Sequence, residues 1–371
     1  MAEKGLEGVV VADTKLSYVD GQKGQLTYRG YDINDLAEHC SFEEVAYLMW
    51  YGKLPTRLQC DELTRQLATH RFTPDEAETL LEQFPRSAPP MSVLRTALSV
   101  LGMLDARAES DVSETNQDMA IELTAQSASI LANFHRLRTA GRLAPSEPRL
   151  SHAANFLYKM SGRLPDELST RVFDTCLVLH IDHDFNASTF TARVIASTLS
   201  DIYSAVTGAI GALRGPLHGG ANTRVMMMLE EIGEPSRAAD YVKNLLVQKK
   251  RIMGFGHRVY KTADPRATIL RKWCQRLGEH LGQTKWAGMQ AIIEEVMLKE
   301  KGLHCNVDFY SAPVYHMLGI PKDLFTPIFA ISRIVGWTAH ILEQYADNRL
   351  IRPAVNYVGP KALEFVPMDK R

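Results

Sequence analysis

The chain has 371 residues, with 42 Lys and Arg against 43 Asp and Glu and a formal net charge of −1. At 45% hydrophobic and 23% charged, it has the composition of a globular protein with a sizeable core, long enough for two domains or for a large domain with a smaller partner. The balanced charge argues against a general nucleic-acid binder and against a polyacidic or disordered chain.

A bilayer span needs about 20 apolar residues. The stretch Ile202–Leu213, among the longest apolar runs, is shorter than that and is broken by Gly208 and Gly211. The opening MAEKGLEG has neither an apolar signal core nor an Arg/Ser-rich presequence. Cys40, Cys60, Cys176, Cys274 and Cys305 are scattered and form no CxxC pair, so neither a disulfide framework nor a zinc ribbon is indicated. The expected compartment is the cytoplasm, where thiols stay reduced.

In chain order, Val9-Val10-Val11, Leu16-Ser17-Tyr18-Val19 and residues 25–28 are β-prone, and Asp20-Gly21 signals a turn. A hairpin or two is therefore expected within the first 32 residues, with little strand elsewhere. Helical punctuation follows. Ser41-Phe42-Glu43-Glu44 is a capping box, and Gly52 with Pro55 closes its helix. Thr73-Pro74-Asp75-Glu76 repeats the logic, with Pro at the first helical position. Apolar residues three and four apart predict helices over 91–104, 116–139 (closed by Gly141) and 152–160. Pro165 opens a segment to about Asp182, and 188–212 is a long, mostly apolar stretch. Ala221–Ile232, 235–249, 265–281, Lys285–Lys301 and 325–345 complete the set. So many helices and so few strands predict an all-α fold. The segment from Ala221 to Leu318 is more amphipathic, with more basic loops. The pattern predicts a large domain (1–220 and 319–371) interrupted by a small one (221–318).

Four constellations place chemically active side chains beside Gly, Pro or Asn at helix mouths. The first is His180-Ile181-Asp182-His183-Asp184-Phe185-Asn186, with Asn186 or Ser188 as the following N-cap. Two histidines and two aspartates invite a metal reading. The alternative, that His180 belongs to the helix end and one histidine faces a pocket, is preferred, because no further Cys or His follows at metal-ligand spacing. The second is Gly215-Pro216-Leu217-His218-Gly219-Gly220. A helix starts just after His218, and its partial positive charge would favour a neutral imidazole able to donate to a developing enolate. The third is Met253-Gly254-Phe255-Gly256-His257-Arg258-Val259-Tyr260-Lys261, followed by Asp264-Pro265-Arg266. It lacks the third glycine and preceding strand of a dinucleotide fingerprint, and offers N–H groups and cations to a phosphorylated ligand. A solvated basic helix end explains Lys249 and Lys250 equally well, but not Lys261.

The fourth is His304-Cys305-Asn306-Val307-Asp308, where Asp308 is either a helix N-cap or a carboxylate general base. Arg333 lies in the apolar run 325–337, and a guanidinium there needs a buried anion, either a structural carboxylate or a substrate one. Arg352, near the C-terminus, is either surface decoration or a further carboxylate clamp.

GLEGVVVADTKLSYVDGQKGQLTYRGYDI, HDFNASTF, GPLHGGAN, MGFGHRVYKTADPRA, NVDFYSAPVYHMLGI and DNRLIRPAVNYVGP occur in this order over nearly the whole chain. Together they resemble the citrate synthase family, in its shorter bacterial and archaeal form. The resemblance implies an all-α dimer with a mobile small domain, condensing acetyl-CoA with oxaloacetate without a metal or redox cofactor. By motif, His218 would steady the enol of acetyl-CoA, Asp308 would take the methyl proton, and His257 would protonate the oxaloacetate carbonyl. His183, Arg266 and Arg333 would hold oxaloacetate, and Arg352 would reach the other subunit's site. Arg251, Met253, Gly254, Phe255, Gly256, Arg258, Lys261 and Asn306 match the CoA-binding loop and its neighbour.

Asp184 stands where many members have Glu or Gly. The longer β-rich N-terminal region of NADH-regulated relatives has no counterpart, so no NADH inhibition by that route is expected. The same motifs serve 2-methylcitrate synthases, which use propionyl-CoA, and a structural homologue without activity is the reading from another class.

Overall fold

The computed structural model describes residues 4–6, 8–72 and 74–371. Strands β1 (Ser17–Asp20), β2 (Gln25–Tyr28) and β3 (Tyr31–Asp32) form one antiparallel sheet in the order β1-β2-β3, with Ser17 opposite Tyr28 and Asp20 opposite Gln25. The helices are α1 (Ile33–His39), α2 (Phe42–Tyr51), α3 (Arg57–Thr69), α4 (Asp75–Gln83), α5 (Pro90–Leu104), α6 (Ser113–Ala140), α7 (His152–Ser161), α8 (Glu167–His180), α9 (Ala187–Ala196) and α10 (Ile202–Leu213). They continue with α11 (Ala221–Ile232), α12 (Pro235–Val247), α13 (Pro265–His280), α14 (Lys285–Lys301), α15 (Val307–Met317) and α16 (Phe325–Ala346). The fold is all-α with a small sheet, as the sequence predicts.

Local chemistry explains most boundaries. Ser41 and Glu44 form the expected capping box of α2, which Gly52 ends in a left-handed conformation. Thr56 and Gln59 form a second box on α3, a helix the pattern reading passed over together with α1. Four expectations are corrected. Val9, Val10 and Val11 join no strand, and Val10 is 85% exposed: an extended run without a pairing partner remains coil. Residues 188–212 are two helices, because the chain turns at Leu199 (φ 63°) and Asp201 caps α10 by accepting from the Ser204 N–H. Helix α8 stops at His180, so Ile181 and Asp182 belong to the corner beyond it. Pro74 occupies the N-cap rather than the first turn of α4, and its expected cap Thr73 lies outside the described residues.

One apolar core runs through the molecule, with Phe134, Phe173, Tyr315, Phe325 and Trp337 fully buried in it. Helix α16 with its preceding turn is apolar and long enough to cross a bilayer, but 89% of its apolar window is buried by the surrounding helices. It packs on α6, α8, α9 and α10. Gly336 makes this approach feasible: a Cβ there would lie 2.1 Å from the Ile181 carbonyl oxygen. The absence of a side chain thus seats α16 directly on the corner that carries Asp182 and His183. Helices α11 to α15 pack largely among themselves, α13 on α15, α12 on α14 and α11 on α15, while α13 also touches α1 and α8.

Candidate active site

All four constellations lie where helices start or stop. The corner after α8 is buried and tightly tied. Tyr28 donates its hydroxyl to the Asp182 carbonyl (2.9 Å), and Ser17 donates to the Asp182 carboxylate (2.5 Å). His340 lies 3.2 Å from the same carboxylate oxygen. Asn186, rather than Ser188, caps α9, accepting from the Ser188 and Thr189 N–H groups. His183, 7% exposed, places Nε2 3.2 Å from the Tyr260 hydroxyl. Burial, then the charge of Arg266, holds its pKa well below the ordinary histidine value. His180 ends α8, fully buried, with Nδ1 3.3 Å from the Tyr315 hydroxyl. Among the described residues no three His, Cys, Asp or Glu side chains converge as a metal site.

His218 sits in a turn, two residues ahead of the Gly220 cap of α11. Its Nε2 is 2.8 Å from the Ser188 hydroxyl, which also accepts from Trp337 Nε1–H at 3.2 Å. Its pKa is lowered to about 4, the direction the helix argument gives, but the causes are burial first and the Arg333 charge second. A cavity of about 470 Å³ opens beside the turn, lined by Pro216, Gly219, Gly220, Arg214, Arg224 and Thr326 among others.

The Gly-rich loop is held by the segment before α15. Gly256 N–H donates to the His304 carbonyl, Asn306 N–H to the Gly254 carbonyl and Asn306 Nδ2 to the Gly256 carbonyl. Phe255 and Cys305 form an isolated bridge, and Met253 is partly buried. Arg251, Arg258 and Lys261 are exposed, and none pairs with a carboxylate among the described residues. His257 accepts at Nδ1 from the Val259 (3.0 Å) and Tyr260 (3.1 Å) N–H groups. Two donors at one nitrogen require it to be unprotonated, so the neutral ring carries its proton on Nε2. Burial, then Arg266, lowers its pKa to about 4, which keeps it neutral at pH 7. The rings of His183 and His257 are 5.2 Å apart.

Asp308 is not the cap of α15. That position belongs to Asn306, whose Oδ1 accepts from the Asp308 N–H. The Asp308 carboxylate is thereby left without a hydrogen bond from the protein among the described residues, partly accessible but crowded on most sides. Burial raises its pKa to about 6 against the pull of Arg266, Arg224 and Arg333. A free carboxylate poised near neutrality suits proton abstraction from carbon.

Two buried arginines connect the set. Arg266 acts on Asp308, His183 and His257, and Arg333 on Asp308, His183 and His218. Arg266 is already paired: Asp264 takes its Nε (3.0 Å) and Nη2 (2.9 Å), caps α13 and accepts from the Val307 N–H. Arg333, 1% exposed, has no such partner among the described residues. Its Nε donates to the His180 carbonyl (2.6 Å), its guanidinium lies 4.5 Å from the Phe329 ring centre, and Nη2 is unsatisfied. Arg352 stands apart, exposed on an extended C-terminal segment. Pattern reading missed Ser188 as the neighbour of His218 and Tyr260 as the neighbour of His183, since both contacts are made through space. The cap role of Asp264 was missed too, although an Asp directly before Pro265 at a helix start is a local signal for it.

The family pattern described as "Citrate synthase, C-terminal domain" matches residues 5–354. The chain belongs to the citrate synthase family. It is 50% identical to citrate synthase 2 of Bacillus subtilis, covering 100% of this chain and 99% of that one. It is also 44% identical to the 2-methylcitrate synthase of Shewanella oneidensis, over 99% and 97% of the two chains. The citrate synthase of Thermoplasma acidophilum, solved as a ternary complex with carboxymethyl coenzyme A and oxaloacetate, superposes with a TM-score of 0.91 at 34% identity over 100% of both chains. Full-length similarity at this level makes the chain an acyltransferase of that family.

Proposed function

We propose that the chain joins acetyl-CoA, oxaloacetate and water to give citrate and free CoA, and that it does so with its own side chains and no resident cofactor. The observation that carries this reading is Arg333, a buried guanidinium with no carboxylate in hydrogen-bond contact among the described residues and one unsatisfied nitrogen. Leaving such a charge uncompensated costs several kcal/mol, so an anionic ligand is its natural complement. Oxaloacetate supplies two carboxylates, held by Arg333 and Arg266, with His183 at the keto group.

A thioester methyl is a weak carbon acid, so proton removal needs a base and a donor to the enolate together. The Asp308 carboxylate takes the methyl proton. His218 donates to the thioester oxygen, its ring held at Nε2 by the Ser188 hydroxyl. The nucleophilic methylene then attacks the keto carbon of oxaloacetate. His257 Nε2–H gives its proton to the developing alkoxide. Water hydrolyses the resulting citryl-CoA, forming citrate and releasing the thiol. Residues 221–318 act as a small mobile domain that closes over oxaloacetate, excludes water and completes the acetyl-CoA site. Arg251, Met253, Gly254, Phe255, Gly256, Arg258, Lys261 and Asn306 receive the CoA, its phosphates meeting the unpaired cations. Arg352 reaches the oxaloacetate of a second copy, which makes a homodimer the working unit, in the cytoplasm.

Release of free thiol from acetyl-CoA, measured with and without oxaloacetate, tests the reading. Oxaloacetate-dependent release is expected, and its absence overturns the assignment. Propionyl-CoA adds one methylene, worth about 1–3 kcal/mol in an apolar pocket. A kcat/KM ratio strongly favouring propionyl-CoA would make the chain a 2-methylcitrate synthase instead.

A further inference from the structure

The N-terminal hairpin touches both substrate-facing histidine segments. At its base, Ser17 Oγ donates to the Asp182 carboxylate and accepts from the Asp184 N–H (3.0 Å), and Tyr28 Oη is bonded to the Asp182 N–H and carbonyl. These bonds bracket His183. At its tip, the Gly21 carbonyl accepts from the Lys261 N–H at 2.8 Å. A Cβ on Gly21 would lie 2.2 Å from the Val259 carbonyl oxygen, and one on Gly24 would lie 2.8 Å from that of Ala263. Gly21 has no positive φ, so only the closeness of the 259–263 segment demands glycine there. The tip itself is shaped by Asp20, whose Oδ1 accepts from the Gln22 and Lys23 N–H groups.

The segment under the tip is the one that fixes His257. Its Val259 and Tyr260 N–H groups hold Nδ1, and the Tyr260 hydroxyl meets His183. We infer that the β1–β2 turn is a positioning element for the reaction: it presses the 259–263 segment into the register that keeps the His257 proton on Nε2 and sets the spacing of His257 to His183. No hairpin atom need touch a substrate for this. The inference rests on the proposed role of His257 as the proton donor. It adds that the donor's tautomer is set from the other side of the expected domain boundary, by residues 20–24.

The test compares wild type with Gly21→Ala, whose added methyl overlaps the Val259 carbonyl, and with Asp20→Ala, which loosens the tip without overlap. Assays follow oxaloacetate-dependent thiol release, with Tm measured alongside. A displacement of about 1 Å at a reacting group costs roughly a hundred-fold in rate, so Gly21→Ala is expected to lower kcat by about that factor, with a much smaller rise in the KM for acetyl-CoA through the neighbouring Lys261, and Asp20→Ala following in the same direction more weakly. A purely structural hairpin would lower Tm but leave kcat per folded enzyme as in wild type, and that result overturns the inference. Should Gly21→Ala fail to fold, kcat per folded enzyme of Asp20→Ala, read against its KM, decides alone. An inactive wild type would refute the proposed function, whereas an active wild type with unaltered variants would refute only the role of the hairpin.

Discussion

The site has two walls, and they treat a buried arginine in opposite ways. On the α13 wall Arg266 is clamped by both oxygens of Asp264, a residue that also caps the helix and holds the start of α15. On the α16 wall Arg333 has a carbonyl, an aromatic face and an unsatisfied nitrogen, but no carboxylate paired with it among the described residues. The first charge completes the fold. The second is a cost of folding that the proposed oxaloacetate would offset. A buried cation that lacks its own carboxylate among the described residues points to an anionic ligand more directly than one that is already paired.

The largest effect should come from the group both arginines influence. Replacing Asp308 with Ala should lower kcat by about 10²–10⁴-fold, the usual range for a lost general base, while oxaloacetate binding measured by calorimetry persists. Turnover near wild type would remove Asp308 from the base role.

The walls themselves are separated by two leucine substitutions. Arg266→Leu strands a buried carboxylate and should destabilise the protein by about 3–5 kcal/mol, seen in denaturant unfolding. Arg333→Leu removes an unpaired charge, so stability should hold or rise, while the KM for oxaloacetate increases about 10²-fold. Equal stability losses in the two variants would erase the contrast.

Acidity gives a finer distinction. As the proposed base, Asp308 must be ionised, and burial lifts it to about 6, whereas His218 and His257 are lowered to about 4. kcat/KM should therefore fall as pH drops through about 6, and Asp184→Asn, which removes the other carboxyl held near 6, should leave that limb in place. The sign for stability is opposite. Because the folded pKa of Asp308 lies above its unfolded value, ionisation disfavours the fold, and the loss develops as pH rises from about 4 to 6. Asp308→Asn should gain on the order of 3 kcal/mol at pH 7 and little at pH 4.

The smallest change is expected from Ser188→Ala, which removes one hydroxyl beside His218. A loss of about 1 kcal/mol in transition-state binding, a several-fold fall in kcat, follows from one hydrogen bond. An unchanged rate would release Ser188 from that role.

Much of the site was legible as motifs, because Gly, Pro and Asn at helix ends mark where backbone departs from regular structure. His218, His257 and Asp308 could be named that way. The cap of α15 was not decided by sequence: Asn306 and Asp308 are both good caps, and only the backbone at Asn306 (φ −105°, ψ 176°) assigns the role and frees the aspartate. The pKa of His218 was expected to fall because of a helix terminus, but desolvation and Arg333, from a helix more than a hundred residues away, do most of it.

By itself the sequence determined the helical character of the chain, its hairpin, most caps and the inventory of reactive side chains, since these depend on periodicity and on groups within a few residues of one another. The tertiary structure alone decided which charges lack partners, which imidazole nitrogen holds its proton and how the hairpin meets the His257 loop. Those depend on atoms brought together through space, whose desolvation and pairing no local pattern encodes.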